Sequence, residues 1–92
     1  MATYIMLGKY TTEGIKGASA DRTKKIQDLI QKCGGTVEAM FALLGEYDLA
    51  FRVSFPGPAE AMKASFAVAR ATGISLSTHA AVRVEEFDRL IS

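Results

Sequence analysis

A four-residue segment, Gly45-Glu46-Tyr47-Asp48, separates two apolar runs in the middle of the chain, over 37–44 and 49–55. Both runs are short and bounded by turn residues, as strands are. Glycine adopts the positive φ that a tight turn needs, and aspartate hydrogen-bonds to nearby backbone groups in turns. The segment therefore predicts a β-hairpin, so that the two middle strands are antiparallel neighbours in any fold of this chain.

The residues before the hairpin predict one strand and one helix. We expect a strand over 3–10, a loop over 11–18 and a helix capped by Ser19 or Asp21. Gly34-Gly35 ends this helix, and the first hairpin strand covers 36–44. Apolar residues at the spacing i, i+3, i+4, i+7 give the helix one buried stripe: Ile26, Leu29, Ile30 and Cys33.

The residues after the hairpin predict a helix, a strand and a short terminal helix. We expect a helix over 59–72 that ends at Gly73, a strand over 74–84 and a short terminal helix over 85–90, anchored by Phe87 and Leu90. The residues of the longer helix expected to face inward are Met62, Phe66 and Ala69. The order β-α-β-β-α-β predicts an α+β chain of the ferredoxin-like fold, with one four-stranded antiparallel sheet in a single domain over 1–92.

Two helices can cover only one face of this sheet, and strand alternation predicts which residues they cover. The residues expected on the helix side are Ile5, Leu7, Leu49, Phe51, Val53, Phe55, Leu76, Ala80, Val82 and Val84. The residues expected on the open side are Tyr4, Met6, Gly8, Tyr10, Asp48, Ala50, Arg52, Ser54, Ser75, Ser77, His79, Ala81 and Arg83. The strand over 36–44 is apolar on both faces, with Val37, Phe41 and Leu43 on the helix side and Met40, Ala42 and Leu44 on the open side.

Composition indicates what covers the open side. Hydrophobic residues make up 49% of the chain and charged residues 23%, whereas a chain of 92 residues buries only about 60% of its unfolded surface. The open side is too apolar for a bare surface and too polar for a dry core. We therefore expect a homodimer, packed sheet to sheet, that encloses a partly polar cleft.

Charge and cysteine content narrow the function classes. Eleven basic and ten acidic residues give a net charge of +1, which argues against nucleic acid as a partner. Cys33 is the only cysteine, so it has no disulfide partner within the chain, and with the single histidine it does not form a metal site. No apolar run reaches the roughly 18 residues of a membrane span, and no segment has the pattern of a secretory leader. We expect a cytoplasmic protein without cofactor or metal.

Five side chains are the candidates for lining the cleft: Tyr10, Tyr47, Asp48, Arg52 and His79. Arg52 would meet an anionic group and Asp48 a cationic group, while the tyrosines would stack and donate hydroxyl hydrogen bonds. The expected ligand is thus a small polar or amphipathic molecule, bound by a homo-oligomer.

Structural roles for the same residues remain open. Asp48 suits a turn cap or a salt bridge between subunits, Arg52 suits an ion pair with Glu38 or Asp48, and His79 suits an interface histidine. A small cofactor-free enzyme of monooxygenase or isomerase type is the alternative function, with His79 as base and Arg52 stabilising an oxyanion. The sequence contains no catalytic motif, so it leaves open whether any reaction is catalysed, and a purely structural oligomer is the third possibility.

Several short segments, taken in order, resemble one protein family. They are Thr12-Glu13-Gly14-Ile15-Lys16, Arg22, Gly34-Gly35, Gly45-Glu46-Tyr47-Asp48 and Glu85-Glu86-Phe87. In this order and over nearly the whole chain they resemble the GYD-domain proteins. The resemblance implies a dimeric α+β barrel, in which two ferredoxin-like domains pack sheet against sheet, and it implies no particular reaction.

Overall fold

The computed structural model describes residues 1–92 as four strands and four helices. The first half comprises β1 (Ala2–Tyr10), α1 (Thr12–Lys16), α2 (Ala20–Lys32) and β2 (Thr36–Ala42). The second half comprises β3 (Leu49–Phe55), α3 (Pro58–Thr72), β4 (Ile74–Ala81) and α4 (Val84–Ile91). The strands form one antiparallel sheet in the order β2-β3-β1-β4, which confirms the predicted α+β, ferredoxin-like arrangement.

The hydrophobic core lies between one face of the sheet and the two long helices. Its buried members from the strands are Tyr4, Met6, Phe51, Val53, Phe55 and Ile74. Its buried members from α2 and α3 are Ile26, Ile30, Ala61, Ala64 and Val68. Leu29 and Cys33 pack against this cluster, so the predicted stripe of the first long helix is confirmed. Both long helices pack on this face of the sheet, here called the packed face. The opposite face, here called the open face, carries neither helix.

Strand β1 presents the opposite faces to those predicted. Tyr4 pairs with Val53 and Met6 with Phe51, so both side chains lie on the packed face, and Ile5 and Leu7 lie on the open face. Gly8 shows why this register is favoured. A Cβ at this position would lie 3.2 Å from Ile74 Cγ2 and 3.3 Å from Leu49 Cβ, so the packed face has little room for a side chain there.

Strand β2 also departs from the predicted alternation, because it contains a β-bulge. Val37 pairs with Val53 and Ala39 with Arg52, which leaves Glu38 as an extra residue. The bulge reverses the faces of the residues that follow. Met40 lies opposite Phe51 on the packed face, and Phe41 lies on the open face with 56% of its surface exposed.

Helix α3 buries small residues where large ones were expected. Ala61, Ala64, Val68 and Thr72 are buried at the spacing i, i+3, i+7, i+11, which brings the helix close to the sheet. Met62 and Phe66, which were predicted to face inward, are 63% and 65% exposed.

The caps of the long helices agree with the sequence. The Ser19 hydroxyl accepts the Arg22 N–H at 3.1 Å, which identifies Ser19 as the N-cap of α2. Gly73 ends α3 in the left-handed conformation with φ 73°, which glycine adopts without a steric penalty. The expected loop over 11–18 instead contains α1, because Thr11 Oγ1 accepts the Gly14 N–H at 3.0 Å and caps a helical turn.

The segment after β4 is more exposed to solvent than predicted. Strand β4 ends at Ala81, so Val82 and Arg83 lie outside the sheet and Val84 begins α4. The terminal helix forms, but Phe87 and Leu90 are 49% and 72% exposed and do not anchor it within the chain.

The revised faces predict unequal effects for two substitutions to alanine. Met6→Ala removes a fully buried side chain and should lower the free energy of unfolding by about 2–5 kcal/mol. Ile15→Ala removes a 58% exposed side chain on α1 and should change the free energy of unfolding by less than about 0.5 kcal/mol. Urea unfolding, at protein concentrations where the midpoint is constant, measures both. Equal losses, or a larger loss for Ile15→Ala, would contradict the burial of Met6 on the packed face.

Candidate functional site

The open face combines apolar and polar side chains in a regular grid set by strand register. Ile5 in β1 pairs with Arg52 on one side and with His79 on the other. Leu7, two residues further along, pairs with Ala50 and Ser77. Neighbouring strands are about 4.8 Å apart, so the backbones of Arg52 and His79 are separated by about 10 Å with Ile5 between them. This central row is the candidate site.

An ion pair occupies one side of the candidate site. Arg52 Nε lies 3.3 Å from Glu38 Oε2, with 53% and 37% of the two side chains exposed. The partner thus comes from the bulge in β2, one of the two partners that the sequence suggested. At this exposure the pair contributes little to stability. The guanidinium retains further N–H donors that can meet a carboxylate or another anion.

A hydrogen-bonded pair occupies the other side. His79 Nε2 lies 2.7 Å from Ser77 Oγ, and both side chains belong to β4 on the open face. Residues two apart in a strand point the same way, so this contact follows from local geometry. Ser77 was missed as a candidate, although its spacing from His79 was a usable signal. Together the two residues offer a hydroxyl and an imidazole to a ligand above the sheet.

Tyr10 lies elsewhere, on the packed face at the end of β1. Its ring packs against the core cluster, and the Arg22 guanidinium carbon lies 5.5 Å from the ring centroid. Arg22 also donates from Nη1 to the Gly14 carbonyl. The partners of Arg22 are therefore an aromatic ring and a backbone carbonyl. These contacts border a groove of about 230 Å³ between α2 and the ends of β2 and β3.

Asp48 connects the hairpin to the end of β1 through two hydrogen bonds. Its Oδ2 accepts the Tyr10 N–H at 2.8 Å, and its own N–H donates to the Gly8 carbonyl at 2.8 Å. The Leu43 N–H donates to the Asp48 carbonyl at 2.8 Å and closes the turn. Gly45 has φ 148°, in the region that favours glycine. The turn cap proposed from the sequence therefore has a defined partner, the backbone of β1.

Four of the five predicted site residues thus fall into two pairs. Arg52 and His79 share the centre of the open face, while Tyr10 and Asp48 meet at the end of the sheet. Tyr47 is half-buried in the hairpin turn. A single cleft lined by all five within one chain is not formed, because Tyr10 belongs to the packed face. Their roles in ligand binding remain predictions.

Two further properties bear on the kind of site. No group of three or more His, Cys, Asp or Glu side chains is placed to hold a metal ion. None of the helices combines the length and the apolar character of a membrane span.

Asp48 provides a test of how the hairpin is held. Asp48→Ala leaves the Tyr10 N–H without its acceptor and should lower the free energy of unfolding by about 1–3 kcal/mol. Asp48→Asn keeps an acceptor oxygen and should lose less. Hydrogen exchange at the Tyr10 amide should accelerate in Asp48→Ala, and Glu46→Ala in the same turn is the control. Unchanged protection of the Tyr10 amide in Asp48→Ala would contradict this role.

One comparison with known proteins gives a match over nearly the whole chain. The family model described as the GYD domain matches residues 4–91, from β1 to the end of α4. No curated protein matches the chain, and no solved structure matches it. The match includes the hairpin turn and both long helices, which is nearly the whole sequence. The chain belongs to the GYD-domain family.

Proposed function

We propose that this chain is a homo-oligomeric ligand-binding module whose open sheet faces pack together across a partly polar cleft. The observation that carries the proposal is the composition of the open face. Ile5, Leu7 and Phe41 lie on it together with the Arg52–Glu38 ion pair and the Ser77–His79 pair. An apolar surface with polar groups at its centre is typical of a binding site.

The apolar side chains of the open face favour a second copy of the chain as the partner that covers this face. The hairpin edge next to this face exposes 56% of Phe41, 42% of Leu43 and all of Leu44. Stable interfaces bury roughly 800 Å² on each partner, and the open face of a four-stranded sheet supplies a surface of that order. Packing of one open face on another would remove these side chains from water without an additional element.

The polar part favours an anionic, amphipathic ligand. Arg52 carries free N–H donors, and Ser77 and His79 add a hydroxyl and an imidazole on the other side of Ile5. Between two sheets, a carboxylate or a similar anion would meet Arg52 while its apolar body lies along Ile5 and Leu7. Tyr47 and Asp48, at the end of the sheet, would contact a ligand that extends beyond this row.

A charge at the centre of the face tests the oligomer. Leu7→Lys places an ammonium group in the proposed interface and should raise the dissociation constant of the oligomer by at least about tenfold. Ile15→Lys makes the same type of change at a 58% exposed position on α1 and should leave it unchanged. Sedimentation equilibrium over a dilution series measures both. Equal behaviour of the two variants would exclude the open face as the interface.

Octanoate tests the ligand class, with octylamine as the probe of opposite charge. Calorimetric titration should detect octanoate binding to the native protein, weakened by about tenfold or more in Arg52→Gln. Arg70→Gln, on the exposed side of α3, should bind octanoate as the native protein does. Preference for octylamine, or equal binding by both variants, would contradict the proposed role of Arg52. An oligomer that binds neither probe would favour the purely structural alternative.

One contact favours a second candidate function, a cofactor-free enzyme. A serine hydroxyl 2.7 Å from an imidazole nitrogen is the first part of a nucleophile–base pair. The chain supplies no hydrogen-bond partner to the second ring nitrogen, so the orienting group of such a pair is missing. A fluorophosphonate probe separates the functions. The binding proposal predicts no covalent labelling of Ser77, whereas labelling that both Ser77→Ala and His79→Gln abolish would favour the enzyme.

A further inference from the structure

Helix α4 has an apolar stripe that no part of its own chain covers. Val84, Phe87, Leu90 and Ile91 recur at helical spacing, and they are 68%, 49%, 72% and 67% exposed. No residue of this helix is buried. A helix of eight residues is marginal in water when it stands alone, so this segment needs a packing surface to stay folded.

A groove on the helix side of the sheet has the complementary character. It lies between α3 and β4, has a volume of about 340 Å³, and is bordered by Met62, Phe66 and Leu76. Met62 and Phe66 form its exposed wall, being 63% and 65% exposed. Across its floor, Ser65 Oγ lies 2.7 Å from Thr78 Oγ1 and links the helix to the strand. The groove is therefore a formed, apolar surface with a fixed floor.

The dimensions of the two surfaces match. Helix α4 has eight residues and is about 12 Å long at 1.5 Å per residue. The residues of α3 along the groove run from Pro58 to Phe66, which is about 14 Å by the same measure. Small side chains on α3, Ala61 and Ser65, leave space for Phe87 to approach the floor.

The charges of the two helices are also complementary. Helix α4 carries three acidic side chains and one basic one: Glu85, Glu86, Asp88 and Arg89. Helix α3 carries two basic side chains, Lys63 and Arg70, and one acidic one, Glu60. An acidic helix beside a helix of net positive charge gains a favourable interaction that also limits which surfaces it fits.

We propose that α4 of one copy of this chain packs in the α3–β4 groove of a second copy. The observation that favours exchange between copies is that stripe and groove stay exposed in the same chain, although both belong to it. Exchange of a terminal helix between identical chains is a common route to closed oligomers. This interface lies on the helix side of the sheet, so it is independent of the proposed contact between open faces.

Paramagnetic NMR across a mixed sample tests the exchange directly. One chain, at natural nitrogen abundance, carries a nitroxide at Arg89→Cys, on the polar side of α4, in a Cys33→Ser background. The other chain is ¹⁵N-labelled Cys33→Ser protein. The expected result is selective broadening of the Met62, Phe66 and Leu76 amides of the ¹⁵N chain. A nitroxide at Ile15→Cys, a 58% exposed position on α1, is the matched control and should leave these amides sharp.

Three outcomes would overturn the proposal. Absence of broadening between chains would exclude exchange. Broadening of the groove only when label and ¹⁵N are on the same chain would show that α4 folds back on its own groove. Broadening of Ile5 and Ala50 in place of the groove would place α4 over the open face. Because the label replaces an exposed residue outside the apolar stripe, an unchanged amide spectrum of the reduced variant confirms that the chain is folded.

Discussion

The structure depends on one constraint: two helices can cover only one face of a four-stranded sheet. Here α2 and α3 pack on the face that contains Met6, Phe51 and Val53, and these three side chains are almost fully buried. The opposite face keeps apolar residues in the central strand, which a bare sheet would not favour. The proposed oligomer and its partly polar cleft both follow from this uncovered face.

Much of the fold could be predicted from the sequence because local signals agree with one another. The order of strands and helices, the Ser19 cap and the stripe of α2 follow from spacing and from a few turn and cap residues. The hairpin could be predicted because Gly45 and Asp48, two turn residues, separate two apolar runs. The GYD family match covers the same span, 4–91, over which these signals were found.

The faces of β1 and β2 could not be predicted, for physical reasons that differ between the strands. In β1, residues 4–7 are all apolar, so alternation has no polar side to indicate orientation. The tight packing around Gly8 and the pairing of Tyr4 with Val53 settle it, and both depend on residues distant in sequence. In β2 a single extra residue, Glu38, reverses the pattern. The candidate site differs accordingly from the predicted one. Arg52 and His79 both lie on the open face as predicted, whereas Tyr10 lies on the packed face. The Asp48–Tyr10 hydrogen bond joins residues 38 apart in the chain, so local sequence patterns do not indicate it.

The central claim is that the open face is covered by a second copy and holds a ligand. Native mass spectrometry of protein purified without refolding, compared with its mass under denaturing conditions, tests this claim most directly. The account predicts a dimer or a larger even-numbered oligomer that carries additional, non-covalently bound mass. A monomer at every concentration that is sampled would contradict it, because the apolar open face would then be stable in water.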